Sequence, residues 1–234
     1  MKTSLKVSEE PESEESATED NGEGMRGDNA AEKGQIEILL ENDSLWRDAF
    51  ANSFYTVTDL DHNGRLELIV ATNEGTGQYT YMEVYEVNES QDGIMSCYDG
   101  NDIEGGQLDN PDLIIDGNLI TFTNGHQYVY ICSDYVHISA AESLEYIDAF
   151  ILENGIFGVN QMAEKHINGE EITYKSYPSE EEITEEEFNN ISIDRYTPEG
   201  YTRSETTFKW TQLTSGSDSV DLLDTYLAFA AAGL

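Results

Sequence analysis

Apolar positions recur along the chain at two different periods. At the N-terminal side they fall at Ile36, Leu39, Leu40, Trp46 and Phe50, close to the spacing of one helix face, with Asn42-Asp43-Ser44 as a candidate break. At the C-terminal side, Val220, Leu223, Tyr226, Leu227 and Ala230 predict a second helix with one core-facing stripe, residues 217 to 219 offering N-caps and Gly233 a C-cap. A third helix is predicted to start at Ile183-Thr184-Glu185-Glu186-Glu187-Phe188. There Thr184 and Glu187 fit a capping box, Ile183 and Phe188 fit a hydrophobic staple, and the acids favour the positive end of the helix dipole.

Between these helices the period changes to two. Asn-Gly or Asp-Gly pairs stand at Asn63-Gly64, Asp92-Gly93, Asp99-Gly100, Asp116-Gly117, Asn124-Gly125, Asn154-Gly155 and Asn168-Gly169. Such pairs supply the positive φ of tight hairpin turns, and they separate β-branched and aromatic runs. The predicted strands are 54–58, 66–72, 78–87, 119–123, 127–132, 144–153 and 172–177. Strands joined by short turns pair antiparallel. The expected class is therefore α+β, mainly antiparallel β as a meander, an open propeller-like sheet or a sandwich, with helices near both ends. No unit of 20 to 50 residues repeats, which argues against a closed array of equal blades.

Charge sharpens the picture. The 234 residues carry 48 Asp+Glu against 11 Lys+Arg, a formal charge of −37. Such a surface repels phosphate backbones and anionic headgroups, which excludes nucleic acid and basic-patch membrane binding and favours cations as partners. Residues 1–33 combine many acids with almost no bulky apolar side chains and read as a disordered acidic leader before a single β-rich domain, 34–234. No Lys or Arg occurs between Arg65 and Lys165, so the acids of that stretch have no local basic partner in sequence. Met1-Lys2-Thr3 is not followed by an apolar run of signal-peptide length, and no stretch is long and apolar enough to span a membrane. An acidic leader ahead of a compact domain is what remains after a secretion signal is trimmed, so the expectation is an extracellular or cell-surface protein whose signal or lipid anchor lies outside this chain.

One segment has the spacing of a metal loop. In Asp59-Leu60-Asp61-His62-Asn63-Gly64-Arg65-Leu66-Glu67, side-chain oxygens at Asp59, Asp61 and Asn63, a turn at Gly64, the main-chain carbonyl of Arg65 and the carboxylate of Glu67 converge on one hard cation. Calcium takes six to eight oxygens in flexible geometry, and this loop offers about five, with water to complete the shell. Magnesium, which demands a tighter octahedron, fits less well. His62 lies between ligand positions and is expected to point outward. Position 12 of the loop is Val70, not the Glu of an EF-hand, and the flanks are strands. This disfavours an intracellular sensor built from paired helical sites.

The segment resembles the calcium-binding hairpin loops of FG-GAP-type β repeats. It resembles more closely the Asp-x-Asp-x-Asn/Asp-Gly-x-x-Glu-Leu signature of uncharacterised secreted lipoproteins of Gram-positive bacteria. In that family the loop follows an aromatic strand, as Phe54-Tyr55 precedes it here. The resemblance covers residues 54 to 72 and implies metal binding at the matching positions. A single loop, where FG-GAP propellers carry several, does not support a propeller or an integrin-like ligand role.

Other constellations are incomplete. His62, His126, His137 and His166 lack metal-ligand spacing, and there is no Cys-x-x-Cys, Gly-x-Ser-x-Gly or phosphate-binding Gly-rich loop. Cys97 and Cys132 are either a bridge or two small buried hydrophobes. Tyr79, Tyr81 and Tyr85 share one strand face by alternation, as do Tyr128 and Tyr130. Such faces either stack on a glycan or protein ligand or pack against cross-strand neighbours. The expected function is a non-catalytic calcium-dependent binding or adhesion module. The alternative is an extracellular, glycan-directed hydrolase in which calcium is structural.

Overall fold

The computed structural model describes residues 25–48, 53–74, 79–98, 117–213 and 220–232. Two antiparallel sheets face each other. The first has five strands in the order β11-β1-β2-β3-β4, where β1 is Phe54–Thr58, β2 Glu67–Glu74, β3 Tyr79–Val87, β4 Ile94–Ser96 and β11 Thr211–Gln212. The second has six in the order β10-β5-β6-β7-β8-β9, with β5 Asn118–Asn124, β6 Gln127–Ser139, β7 Glu142–Glu153, β8 Ile156–Asn168, β9 Glu171–Ser176 and β10 Thr202–Thr207. The expected α+β class with helices at both ends is what the chain adopts, in its open sandwich form.

Alternation along each strand decides the layers. Ile69, Ala71, Met82 and Val84 of the first sheet meet Tyr130, Cys132, Phe150, Leu152 and Phe157 of the second in one buried cluster, the sandwich core. The opposite face of the first sheet, with Tyr55, Val57, Leu66, Leu68 and Val70, is covered by Ile36 and Leu39 of α1 (Met25–Glu41) and Leu222 of α3 (Val220–Ala232). The outer face of the second sheet, with Phe122, Val129, Ile131, Ala149 and Met162, packs on Ile191 and Tyr196 of α2 (Glu185–Tyr196). At the start of α2, the Thr184 hydroxyl accepts the Glu187 amide and Glu187 accepts the Thr184 amide, the capping box expected from the sequence.

Several expectations are corrected. The N-terminal helix begins at Met25, inside the segment 1–33 expected to be a leader, because Ala30-Ala31-Glu32-Lys33 are strong helix formers that extend it without an apolar face. Residues 1–24 lie outside the described residues. The helix stops at Glu41, and a 3₁₀ turn at Asp43–Leu45 follows, as the Asn42-Asp43-Ser44 break suggests. Strand β8 was not expected, since Asn160, Gln161, Glu164, Lys165 and His166 interrupt its alternation. Pairing on both sides, with β7 and β9, holds it in place. Strand β6 runs on to Ser139 for the same reason.

The stripe of the C-terminal helix is also displaced. Leu222, Thr225 and Phe229 are buried, whereas Leu227 is 44% exposed. Outside the exposed Asp221 and Asp224 this helix is largely apolar, so position on the sheet selects which of its apolar residues are buried. The selection has a reason at Thr225. Strand β11 pairs only with Phe54 and Tyr55, and beyond it the Val57 amide donates to the Thr225 hydroxyl at 3.0 Å, which closes the open edge of β1. The cap positions at residues 217–219 and Gly233 lie outside the described residues.

Cys97 and Cys132 form no disulfide and are buried in the sandwich core, where the Cys132 thiol donates to the Asp148 carbonyl at 3.6 Å. One buried acid in the second sheet gives the protein a pH signature. Asp148, 7% exposed beside the β7 bulge, has its pKa raised from 3.8 to about 7 by burial, with the charge of Asp134 adding to it. The folded state then holds a proton that the unfolded state has released, so stability falls as pH rises from 3.8 toward about 7. Replacing Asp148 by Asn removes this term. Denaturant unfolding across that window should show a shallower decline in the variant, with the two curves separating above neutrality by on the order of 4 kcal/mol.

Candidate metal site

The loop between β1 and β2 curls around its own oxygens. Gly64 N–H donates to the Asp59 carboxylate at 3.2 Å, Asn63 N–H to Asp61 Oδ1 at 3.2 Å, and Arg65 N–H to Asn63 Oδ1 at 2.7 Å. Each bond draws a side-chain oxygen inward over the turn. Gly64 has φ +83 and His62 φ +53, the left-handed conformation that a tight reversal requires. Gln35 of α1 then pins the loop from outside, its Nε2 donating to Gly64 O and its Oε1 accepting from Leu66 N–H, both at 2.8 Å.

This curl brings Asp59, Asp61 and Glu67 together, one oxygen of each lying within 4.8 Å of the others. Asp59 and Asp61 are partly exposed and Glu67 is fully buried. Glu67 Oε2 accepts from Leu60 N–H at 2.6 Å and from the Thr58 hydroxyl at 3.1 Å, but its Oε1 is buried with no hydrogen-bond partner. A buried carboxylate oxygen left unpaired is costly unless a cation meets it. Burial pushes the Glu67 carboxyl well above its usual range, with Asp59, Asp61 and Glu86 adding and the Leu60 amide opposing. Asp59 is pushed up to about 6, mainly by burial, with Asp61 and Glu86 adding against the amides of Gly64 and Asn63.

The other residues expected in the site take different positions. Asn63 Oδ1 already accepts one bond and keeps a second lone pair for a cation, while its Nδ2 donates to Asp61 Oδ2 at 2.9 Å and Glu86 Oε1 at 2.8 Å. Arg65 was expected to offer its carbonyl. Its side chain supplies something the sequence did not suggest, with Nε and Nη2 on Glu86 Oε1 at 3.0 and 2.7 Å. His62 is not among the clustered oxygens, and its ring stacks on Tyr128 with centroids 4.0 Å apart.

Glu86 is the residue that the loop pattern missed. It sits directly across from Glu67 in the β2–β3 ladder, on the inner face of the sandwich, and both are fully buried. Like charges in opposite register repel, so this pair needs positive charge on both sides. Arg65 meets one oxygen of Glu86, and the other, Oε2, is buried without a partner. A signal was present in the sequence: Met82, Val84 and Glu86 share one strand face, which places an acid in an apolar row.

Among the described residues, Tyr85, Tyr128 and Tyr130 are each engaged by neighbours within the fold. Tyr130 is fully buried against Phe150 and Phe208, and Tyr128 lies beneath His62. Tyr85 packs beneath the helices and its hydroxyl bonds Glu83 and the Leu45 carbonyl. The side chains of Tyr79 and Tyr81 lie outside the described residues. Comparison with protein-family models, with curated proteins and with solved structures returns no match to this chain.

Proposed function

We propose that this chain is an exported or cell-surface calcium-binding protein with a non-catalytic binding role, in which Asp59, Asp61 and Glu67 hold the ion, Asn63 Oδ1 and the Arg65 carbonyl complete the loop's contribution, and Glu86 with Arg65 backs it. The observation that carries this reading is the unpaired, fully buried Oε1 of Glu67 beside two further carboxylates. A single bound cation would relieve all three carboxylates at once. The cluster contains neither His nor Cys, so the chemistry is that of a hard, oxygen-seeking ion and not of zinc or copper. Partly exposed carboxylates leave room for water in the shell, which suits calcium and an affinity of the extracellular class, roughly 10⁻⁴ to 10⁻³ M. The strongly acidic composition and the resemblance of the loop to that of secreted lipoproteins support the export reading. No helix among the described residues is long and apolar enough to cross a membrane, so attachment, in this reading, is by a lipid anchor or by a partner.

Thermal melts of metal-stripped protein in calcium, magnesium and chelator test the proposal. A ligand present at about 100 times its Kd stabilises the native state by about 2.7 kcal/mol, and for a domain of this size that is a rise of about 5–10 °C in Tm. Calcium is expected to give that rise and magnesium much less. Equal midpoints in calcium and chelator would sink the calcium reading.

A further inference from the structure

The cation loop belongs to the first sheet by chain order, yet the second sheet grips it. The Tyr130 hydroxyl, on β6, donates to the Leu60 carbonyl at 2.7 Å in a fully buried contact. The amide of the same Leu60 donates to Glu67 Oε2 at 2.6 Å. One residue lying between Asp59 and Asp61 therefore joins the second sheet to the buried carboxylate of the triad. A second contact lies beside it, where Tyr128, also on β6, stacks on His62 of the loop, and Phe229 of α3 stands 5.9 Å from the same ring. Leu60 itself is part of the core between the sheets.

We propose that Tyr130 is a positioning residue for the cation, and that through it ion occupancy and the docking of the six-stranded sheet on the five-stranded sheet are thermodynamically linked. This rests on the calcium reading above. The physical basis is that the Tyr130 bond fixes the Leu60–Asp61 peptide while the Glu67 bond fixes the adjoining Asp59–Leu60 peptide, so the two hold Leu60 from both sides and set where Asp59 and Asp61 sit relative to Glu67 Oε2. If the Leu60–Asp61 peptide rotates, Asp61 is carried out of the convergence and the adjoining peptide that bonds Glu67 loses one of the two supports that hold Leu60. Coupling between two sites is reciprocal, so an ion that holds the loop closed also holds Tyr130, and with it β6, against the loop.

Calcium titration of wild type and Tyr130→Phe by calorimetry tests the link. Phe keeps the ring packing against Phe150 and Phe208 and deletes only the donor. The expected result is a calcium Kd weakened by about tenfold, the scale of one buried hydrogen bond lost from the bound state. Wild-type Kd in a folded variant overturns the proposal and makes Tyr130 a packing residue only. Absence of calcium binding by the wild type itself is a different result: it removes the calcium reading, and this proposal with it. Should the variant not fold, hydrogen exchange of the wild type decides, since the proposal expects calcium to slow exchange in the amides of β5 and β6 as well as in residues 58–67. Slowing confined to residues 58–67 overturns it.

Discussion

Glu67→Gln is expected to raise the melting midpoint in chelator and to abolish most of the stabilisation by calcium, so that the order of wild type and variant reverses between the two conditions. The amide keeps an acceptor for Leu60 N–H and the Thr58 hydroxyl and places an NH₂ where the unpaired Oε1 stands, facing the acids of the loop. In the metal-free protein this replaces a carboxyl whose ionised form burial disfavours and adds a donor, worth about 1–3 kcal/mol, or several degrees in Tm. With calcium the same change deletes the buried carboxylate of the triad, and affinity should fall about a hundredfold, on the order of the 3 kcal/mol that a charged buried contact carries. A variant that melts lower than wild type by the same amount in both conditions would mean that Glu67 is a structural acid whose partner is not a cation.

Arg65→Met should be the most destabilising single change at the loop when calcium is absent. Arg65 is 21% exposed and Glu86 fully buried, so removing the guanidinium leaves a carboxylate in the core with only the Asn63 amide beside it. Stranding a buried charge in this way costs about 3 kcal/mol, at the low end for such pairs because Arg65 retains some solvent. The further contact of Arg65 with Glu89, 92% exposed at 3.7 Å, adds little. The double variant Arg65→Met, Glu86→Gln should recover most of the loss, since neither charge is then stranded. Denaturant unfolding of the two single variants and the double variant, all in chelator, gives the coupling directly. Additive losses would show that the two side chains do not act on each other.

How far the sequence leads can be judged residue by residue. The strands within 54–58, 66–72 and 78–87 were readable as β-branched and aromatic runs, and so were the turns at Asn63-Gly64, Asn124-Gly125, Asn154-Gly155 and Asn168-Gly169. These signals are local: they depend on neighbours within a few residues and on the φ that glycine permits. The capping box at Thr184 and Glu187 is of the same kind. Strands β8 and β10 were not readable, because their polar side chains carry no periodic signal and they are held by pairing with β7, β9 and β5. The stripe of α3 failed for a related reason. A helix that is apolar everywhere but at Asp221, Asp224 and Thr225 leaves several faces open until a neighbouring strand offers an unpaired amide, which here is that of Val57.

The candidate site divides in the same way. The nine residues from Asp59 to Glu67 carry the local part of the site, the curl of oxygens at positions 59, 61 and 63 over a glycine, because the bonds that these three side chains accept from the turn's amides close within six residues of chain. Only the tertiary structure decided that Glu67 is buried with an unpaired oxygen, that Glu86 stands across from it under the Arg65 guanidinium, and that Tyr130 reaches Leu60 from the opposite sheet. Those features depend on which faces of which strands meet. Packing of whole sheets sets that, through contacts far apart in sequence that no local pattern encodes.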